Sequence, residues 1–438
     1  MAREMKDSGI EWVGDIPADW SVLRIKYLAN DENDSFQDGD WIESPVITDS
    51  GIRYLTTGNV GDGVFKRQGN GYITEETFVE LNCKYAYPND LVISRLNAPY
   101  GRACILPEDE EKYVLAVDIV ILRTNHDKRF LCYVMQCGGY QDTVRDGAKG
   151  TTMKRISRTN LGNLAVPVAP IEEQRRISAL LDRKCAEIDA VIAETQRTIE
   201  EYKKLKQSII NEAVTKGIRK DCPMKDSGIE WVGKIPADWN VSRLKNLSLD
   251  FAKGNGITKE DIVPDGDSPC VRYGEIYTKY DQAFTECQTR TNRILVNSPR
   301  FFSYGDLLFA CTGELVDEIG KSIVYLGKEE CLAGGDIVVL RHTQHPAFLN
   351  YVMNSAYAQA QKSCDKTKLK VVHISASDLA NVVLAVPSIP EQETIANYLD
   401  KRCAAIDDAI AKKTTLIDEI GNYKKSIIYE YVTGKKQV

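Results

Sequence analysis

The sequence predicts an α+β protein made twice over. It has two tandem globular domains, each a mixed twisted sheet with short helices and each followed by a long helix. The two long helices pair as an antiparallel coiled coil. Three observations predict this: a segment that returns letter for letter, short β-branched runs set among Gly-rich loops, and two Pro-free stretches with heptad spacing.

The repeat comes first. Met5-Lys-Asp-Ser-Gly-Ile-Glu-Trp-Val-Gly14 recurs unchanged at Met224 to Gly233, and Ile16-Pro-Ala-Asp-Trp20 recurs at Ile235 to Trp239. Over residues 5–28, nineteen of twenty-four positions are identical at an offset of 219. Weaker anchors follow. Asp118-Ile-Val120 matches Asp336-Ile-Val338, Tyr133-Val-Met135 matches Tyr351-Val-Met353, and Ile156-Ser157 matches Ile374-Ser375. Between them, residues 30–115 and 248–335 diverge. A frame kept while its contents vary suggests one job done twice on different targets. The expected domains are 1–165 and 218–385, with helical segments at 166–217 and 386–438.

Within each globular part, Val114–Leu122 and Asp336–Leu340 read as strands, as do Leu91–Ile93 and Leu307–Phe309. Phe130–Cys137 and Phe348–Tyr357 read as short amphipathic helices.

The long helices follow from steps of three and four. In the first the seam runs Ile177, Leu181, Cys185, Ile188, Ile192, Ile199, Tyr202, Leu205 and Ile209, with Thr195 as a polar gap. In the second it runs Ile395, Leu399, Cys403, Ile406, Ile410, Ile417, Ile420, Tyr423 and Ile427, each 218 residues from its counterpart. Gly421 interrupts the second seam at a cost of about 1 kcal/mol relative to Ala. Roughly forty residues make a helix of about 60 Å, too long for one domain of this size to cover. The two stripes therefore expect each other as partners, and an antiparallel pair carries an approximate two-fold axis. Duplex DNA has axes of the same kind.

Composition narrows the class. The chain has 438 residues, 43% hydrophobic and 27% charged, as in ordinary globular proteins. No run of eighteen apolar residues suggests a membrane span, and Met1 to Gly14 does not have the form of a secretory signal. A cytoplasmic protein with reduced, buried thiols is the expectation for its twelve cysteines. Without a Cys-x-x-Cys pair or a helical His-x-x-x-His pair, a metal site is not expected. The net charge of −7 opposes nucleic-acid binding by the whole surface, so any such contact must come from local patches or from partner subunits.

Two such patches exist. Between Gln141 and Arg158 lie Arg145, Lys149, Lys154, Arg155 and Arg158 against Asp142 and Asp146. Between Gln359 and His373 lie Lys362, Lys366, Lys368 and Lys370 against Asp365. Both precede the matched Ile-Ser. With the hydroxyls of Thr151, Thr152 and Thr367 they suit phosphate contacts, which position a protein without reading sequence. Base reading would fall to the divergent parts. The candidates are Arg53, Thr57, Asn59, Arg95, Asn97 and Tyr100 in the first copy, and Arg272, Tyr273, Glu275, Thr312 and Glu314 in the second. Arg suits guanine, Asn adenine and Glu cytosine.

Catalytic motifs are near misses. Asn97-Ala-Pro-Tyr100 resembles the Asn-Pro-Pro-Tyr tetrad of adenine methyltransferases, but its second position is Ala and no suitable Gly-rich loop precedes it. Gly320-Lys321-Ser322 resembles the tail of a phosphate loop without the upstream Gly, and a turn into a strand is the simpler reading. Glu110-Glu-Lys112 has a nuclease-like look but falls in a charged loop.

A family resemblance covers essentially the whole chain. The phrase SGIEWVGDIPADW with the strand-entry segment after it, and ISRTNLGNLAVPVAPIEEQRRISALLDRKCAEID, resemble the opening and the close of the target recognition domains of type I restriction-modification specificity subunits. ISASDLANVVLAVPSIPEQETIANYLDKRCAAID is a second close. The resemblance implies a DNA-binding, non-catalytic subunit of a host-defence restriction system. In it each domain reads half of a split target, and conserved spacer helices fix the gap and bind two methyltransferase subunits. S-adenosylmethionine, ATP and Mg are then used by the methyltransferase and motor-nuclease subunits, with no cofactor in this chain. Two readings of other kinds stay open: a self-contained methyltransferase or nuclease with two recognition lobes, and a coiled-coil scaffold that binds only proteins.

Overall fold

The structure, a computed structural model, describes residues 3–32, 34–150, 153–230, 232–296, 298–364 and 371–438. It divides into two compact units, Met1–Gln196 with Thr415–Val438, and Arg197–Thr414.

The first unit opens on a small antiparallel hairpin, Met5–Asp7 with Asp15–Pro17, which carries the repeated Met-Lys-Asp and Ile-Pro letters. Its central sheet is antiparallel, in the order Phe36–Asp38, Ile119–Leu122, Leu91–Ser94, Ala103–Ile105. A three-stranded sheet adds Tyr72–Ile73, Ile52–Leu55 and Tyr113–Leu115, with Ile52–Leu55 parallel to Tyr113–Leu115. The apolar run 114–122 is therefore two strands in two sheets, not one. The Ile119 amide turns back to the Ala116 carbonyl at 2.9 Å and breaks it. Both strands are fully buried, so no alternation marks the break. Short helices Lys128–Met135 and Gly138–Gly147 cover the central sheet.

The second unit repeats this plan with longer strands. Its main sheet runs Ser248–Lys253, Ile337–His342, Leu307–Ala310, Ser322–Tyr325, Ala283–Phe284. A second sheet runs Thr289–Thr291, Ser268–Val271, Cys331–Ala333, Phe301–Phe302. Helices Pro346–Met353 and Ala356–Ser363 take the covering positions.

The long helices span Ile171–Lys216 and Ile389–Val432, the second unbroken through Gly421. In each unit the start of one lies with the end of the other. In the first unit Ile177, Leu181 and Cys185 share a core with Trp20, Phe130, Ile428, Tyr431 and Val432. In the second, Ile395, Leu399 and Cys403 share one with Trp239, Phe348, Ile210, Ala213 and Val214. Lys424 pairs with Asp189 at 2.6 Å in the first unit, and Lys206 with Asp407 at 2.7 Å in the second. Asp189 and Asp407 are equivalent repeat positions, as are Lys206 and Lys424, so the same pair is made with the partners exchanged. Only antiparallel helices do this.

Ile188, Ile192 and Ile209 are half-buried and Ile199 buried, as are Ile406 and Ile427, with Ile410, Ile417 and Ile420 half-buried. Leu205 is a correction. It is 46% exposed, and the seam passes instead through Lys206. The three–four rhythm from Tyr202 calls for residue 206. A lysine can fill a seam with its stem and deliver its charge to the edge, here to Asp407. Tyr423, 56% exposed, yields to Lys424 in the same way.

A buried glutamine locks each helix start. The Gln174 side chain accepts from the Asp127 amide at 2.9 Å and donates to the Ala169 carbonyl at 2.7 Å. Gln392 does the same with the His345 amide and the Pro387 carbonyl, at 2.9 and 3.0 Å. Tyr133 donates to Asp182 at 2.7 Å and Tyr351 to Asp400 at 2.8 Å. These bonds tie the short helices to the long ones.

Candidate nucleic-acid interface

In each unit the loop leaving a central strand meets the segment that precedes the matched Ile-Ser. In the first unit the loop after Leu91–Ser94 is bridged at Leu96 to Arg155, and Arg155 is bridged in turn to Lys149. The Ile156 amide donates to the Arg95 carbonyl at 3.2 Å. In the second unit, Thr312–Gly313 pairs with Val372–His373, and the Ile374 amide donates to the Cys311 carbonyl at 3.0 Å. The first unit thus places its divergent loop beside the segment that carries Lys149, Lys154 and Arg155, and the second places its own beside Val372–Ile374.

Several expected readers are spent on holding this edge together. Arg95 is 6% exposed, donates to the Ile156 and Val117 carbonyls at 3.0 and 2.7 Å, and pairs with Asp38 and Asp118. Arg53 donates to the carbonyls of Gln68, Gly69 and Gly71 and stacks over Tyr72. Asn59 is 3% exposed, caps the turn at the Thr56 amide and donates to the carbonyls of Lys66 and Gln68. Its counterpart Glu275, also 3% exposed, accepts from the Arg272 amide, Lys279 and Thr289. Burial pushes the Glu275 carboxyl up, but those donors outweigh it and hold its pKa below the ordinary glutamate value. Arg272 pairs with Glu275, and the Thr312 hydroxyl meets His373 Nδ1 at 3.0 Å. A side chain so engaged reaches a base only by giving up these bonds.

Other candidates stay accessible. Asn97 is exposed at φ 61°, Tyr273 is 39% exposed, and Glu314 is exposed. Lys149, Lys154 and Arg155 are all exposed, and among the described residues Lys149 and Lys154 have no carboxylate partner. Arg155 lies 3.4 Å from Asp118, and Arg158 3.7 Å from Asp38. Arg145 is held by Asp142 and Asp146. Tyr100 packs half-buried against the core, and Thr57 is half-buried with its carbonyl engaged. Thr151, Thr152, Lys366, Thr367, Lys368 and Lys370 lie outside the described residues.

Arg102 went unnoticed in the sequence. It is 7% exposed and donates to five carbonyls: Val60 at 2.5 Å, Thr57 at 2.8 Å, Asn97 at 3.0 Å, and Leu96 and Pro99 at 3.3 Å. Its counterpart Lys321 donates to the Tyr280 carbonyl at 3.1 Å. Gly320, at φ 70°, makes the turn into strand Ser322–Tyr325. The matching Gly-Arg and Gly-Lys pairs were the available signal.

Fold and repeat together define a duplicated α+β module in which each copy runs into a long helix. Residues 17–201 match the model of the type I restriction modification DNA specificity domain. The chain is similar, at 24% identity over 97% of its length and 96% of the relative's, to the putative type I restriction enzyme MjaX specificity subunit of Methanocaldococcus jannaschii. To the MjaVIII specificity subunit of that organism it is 23% identical over 97% and 94%. It shares its fold with a chain from a structural study of complex assembly and conformational transition of the type I R-M system, with a TM-score of 0.72, 16% identity and coverage of 96% and 99%. The HsdS subunit of Thermoanaerobacter tengcongensis gives a TM-score of 0.51 at 16% identity, with coverage of 96% and 98%. The family model thus covers the first unit's globular part and the start of its long helix, and the two relatives that match nearly the whole chain are both named specificity subunits of type I restriction enzymes. Among the described residues, no helix is long and apolar enough to cross a membrane.

Proposed function

We propose that this chain is the DNA-reading subunit of a type I restriction-modification complex, with each unit responsible for one half of a bipartite target. The observation that carries it is the edge described above. In both units a divergent loop is joined by backbone bonds to the segment that precedes the matched Ile-Ser, which in the first unit carries the exposed cations Lys149, Lys154 and Arg155, while the surrounding frame is the same. Cations on such a segment neutralise phosphate and set register, and the loop presents the side chains that differ between halves.

The recognition domains are proposed at 1–165 and 218–385, and the long helices set the gap between half-targets. Two methyltransferase subunits dock on this chain and use S-adenosylmethionine to methylate adenine. Two motor-nuclease subunits add ATP- and Mg-dependent cleavage. The chain itself is not catalytic, needs no cofactor and works in the cytoplasm. The non-catalytic reading of the Asn97-Ala-Pro-Tyr100 loop is supported by Arg102, which occupies its Asn97 and Pro99 carbonyls. The test is a map of N6-methyladenine in a host carrying the chain with its methyltransferase. A split motif is expected. A contiguous motif, or methylation by the isolated chain with S-adenosylmethionine, would favour a self-contained enzyme.

A further inference from the structure

We propose that Arg102 is a positioning residue which binds two separate loops into one reading edge, so that the sequence preference of the first unit depends on its planar guanidinium. The inference rests on the DNA-reading function and names the part that fixes its geometry.

All five acceptors of Arg102 are backbone carbonyls, and they come from two segments. Thr57 and Val60 belong to the turn after strand Ile52–Leu55, and Leu96, Asn97 and Pro99 to the loop after strand Leu91–Ser94. Among the described residues Arg102 makes no direct ion pair, so its buried charge is compensated by these carbonyl dipoles and, at longer range, by the Asp62 carboxylate. A guanidinium can do this because its donors lie in one plane and point several ways at once. A lysine ammonium cannot span the same set.

The loop is pinned from its other end too. Gly101 sits at φ 72°, and a Cβ there would come within 3.0 Å of Val144 and Tyr140. Between the two anchors Asn97 stands exposed at positive φ, with no hydrogen bond to its amide among the described residues. A free amide on a fixed backbone suits bidentate contact with adenine, whereas the same amide on a loose loop pays for ordering when it binds.

The second unit supplies an independent comparison. At the equivalent place Lys321 reaches one carbonyl, that of Tyr280, and buried Lys362 donates to the carbonyl of Gly320 at 2.8 Å. Each of these lysines reaches a single carbonyl, and neither spans two loops as the guanidinium of Arg102 does.

The experiment uses the full chain assembled with its methyltransferase partner, and a pool of duplexes of random sequence as the probe. Bound duplexes are sequenced for the unaltered complex, for Arg102→Lys and for Asn97→Gly. The unaltered complex should enrich a split motif. Arg102→Lys should cut discrimination in one half by at least about tenfold and leave the other half and non-specific binding unchanged. Asn97→Gly keeps the backbone conformation and should blur the same half without lowering the melting temperature, which keeps the test alive if Arg102→Lys folds poorly. Intact preference in both halves for Arg102→Lys, or for Asn97→Gly where that is the only folded variant, would overturn the proposal. So would equal blurring of both halves. If the unaltered complex enriches no motif at all, the DNA-reading function itself fails and takes this inference with it.

Discussion

The two units handle the same architectural problem with different chemistry. Where the first has Asn59 capping a turn, Arg102 fanning across five carbonyls and Val144 in the core, the second has Glu275, Lys321 and Lys362. The supports behind them do not differ. Gln174 and Gln392, Tyr133 and Tyr351, Trp20 and Trp239 hold equivalent places. Divergence therefore reaches below the surface of this edge, into the buried residues that shape its loops. On the proposed function, a change in what a half reads would involve what holds the loop as well as the side chain it presents.

The comparison can be broken at several points. The largest effect should be shared by both units. Leu181→Ala and Leu399→Ala each remove a fully buried side chain where a long helix enters a core, and each should cost about 2–5 kcal/mol in chemical unfolding. A large loss for one and none for the other would show that the two cores are not equivalent.

Next comes the basic segment of the first unit. Replacing Lys149, Lys154 and Arg155 together by Ala should weaken binding to every sequence and flatten the salt dependence by about 2 to 3 in log–log slope. An unchanged slope in a filter-binding titration of the assembled complex would remove that segment from the DNA.

A smaller difference separates the units in acid. The pKa of Glu275 is lower folded than unfolded, so its contribution is complete above the ordinary glutamate range and is lost as pH falls through the folded value. Asn59 does not titrate. Unfolding followed against pH should therefore show an acid-sensitive contribution from the second unit that Glu275→Gln abolishes. Identical acid profiles for the parent and the variant would contradict this.

The smallest expected effect is one of stabilisation on substitution. Burial pushes the Lys362 ammonium down to about 7, so between there and the ordinary lysine value the unfolded chain holds more protons and stability rises with pH. Lys362→Met should flatten that rise and stabilise the second unit modestly at neutral pH, since Val144 fills the equivalent place without charge. A destabilised Lys362→Met would mean that its bond to Gly320 outweighs the cost of burial.

How far the sequence could be read follows from what periodicity records. Apolar rhythm exposed both long helices and their pairing, because burial of a stripe leaves a period. It misplaced Leu205 and Tyr423 because a seam position filled by lysine looks like a break, although Lys206 and Lys424 keep the rhythm. It joined the strands Tyr113–Leu115 and Ile119–Leu122 because both are buried on every side. The edge was harder. Arg53, Arg95 and Glu275 are the residue types that read bases, yet they are also the types that satisfy buried carbonyls, amides and carboxylates. Residue type alone does not separate those uses. Three-dimensional exposure does, and it leaves Asn97, Tyr273, Glu314 and the 149–155 cations facing solvent.

The most direct test of two independent readers is a domain exchange. Residues 20–165 would be replaced by the matching domain of another specificity subunit, and N6-methyladenine mapped in cells carrying the hybrid with its methyltransferase. The account predicts a new sequence in one half of the motif, with the other half and the gap unchanged. A motif altered in both halves would contradict it.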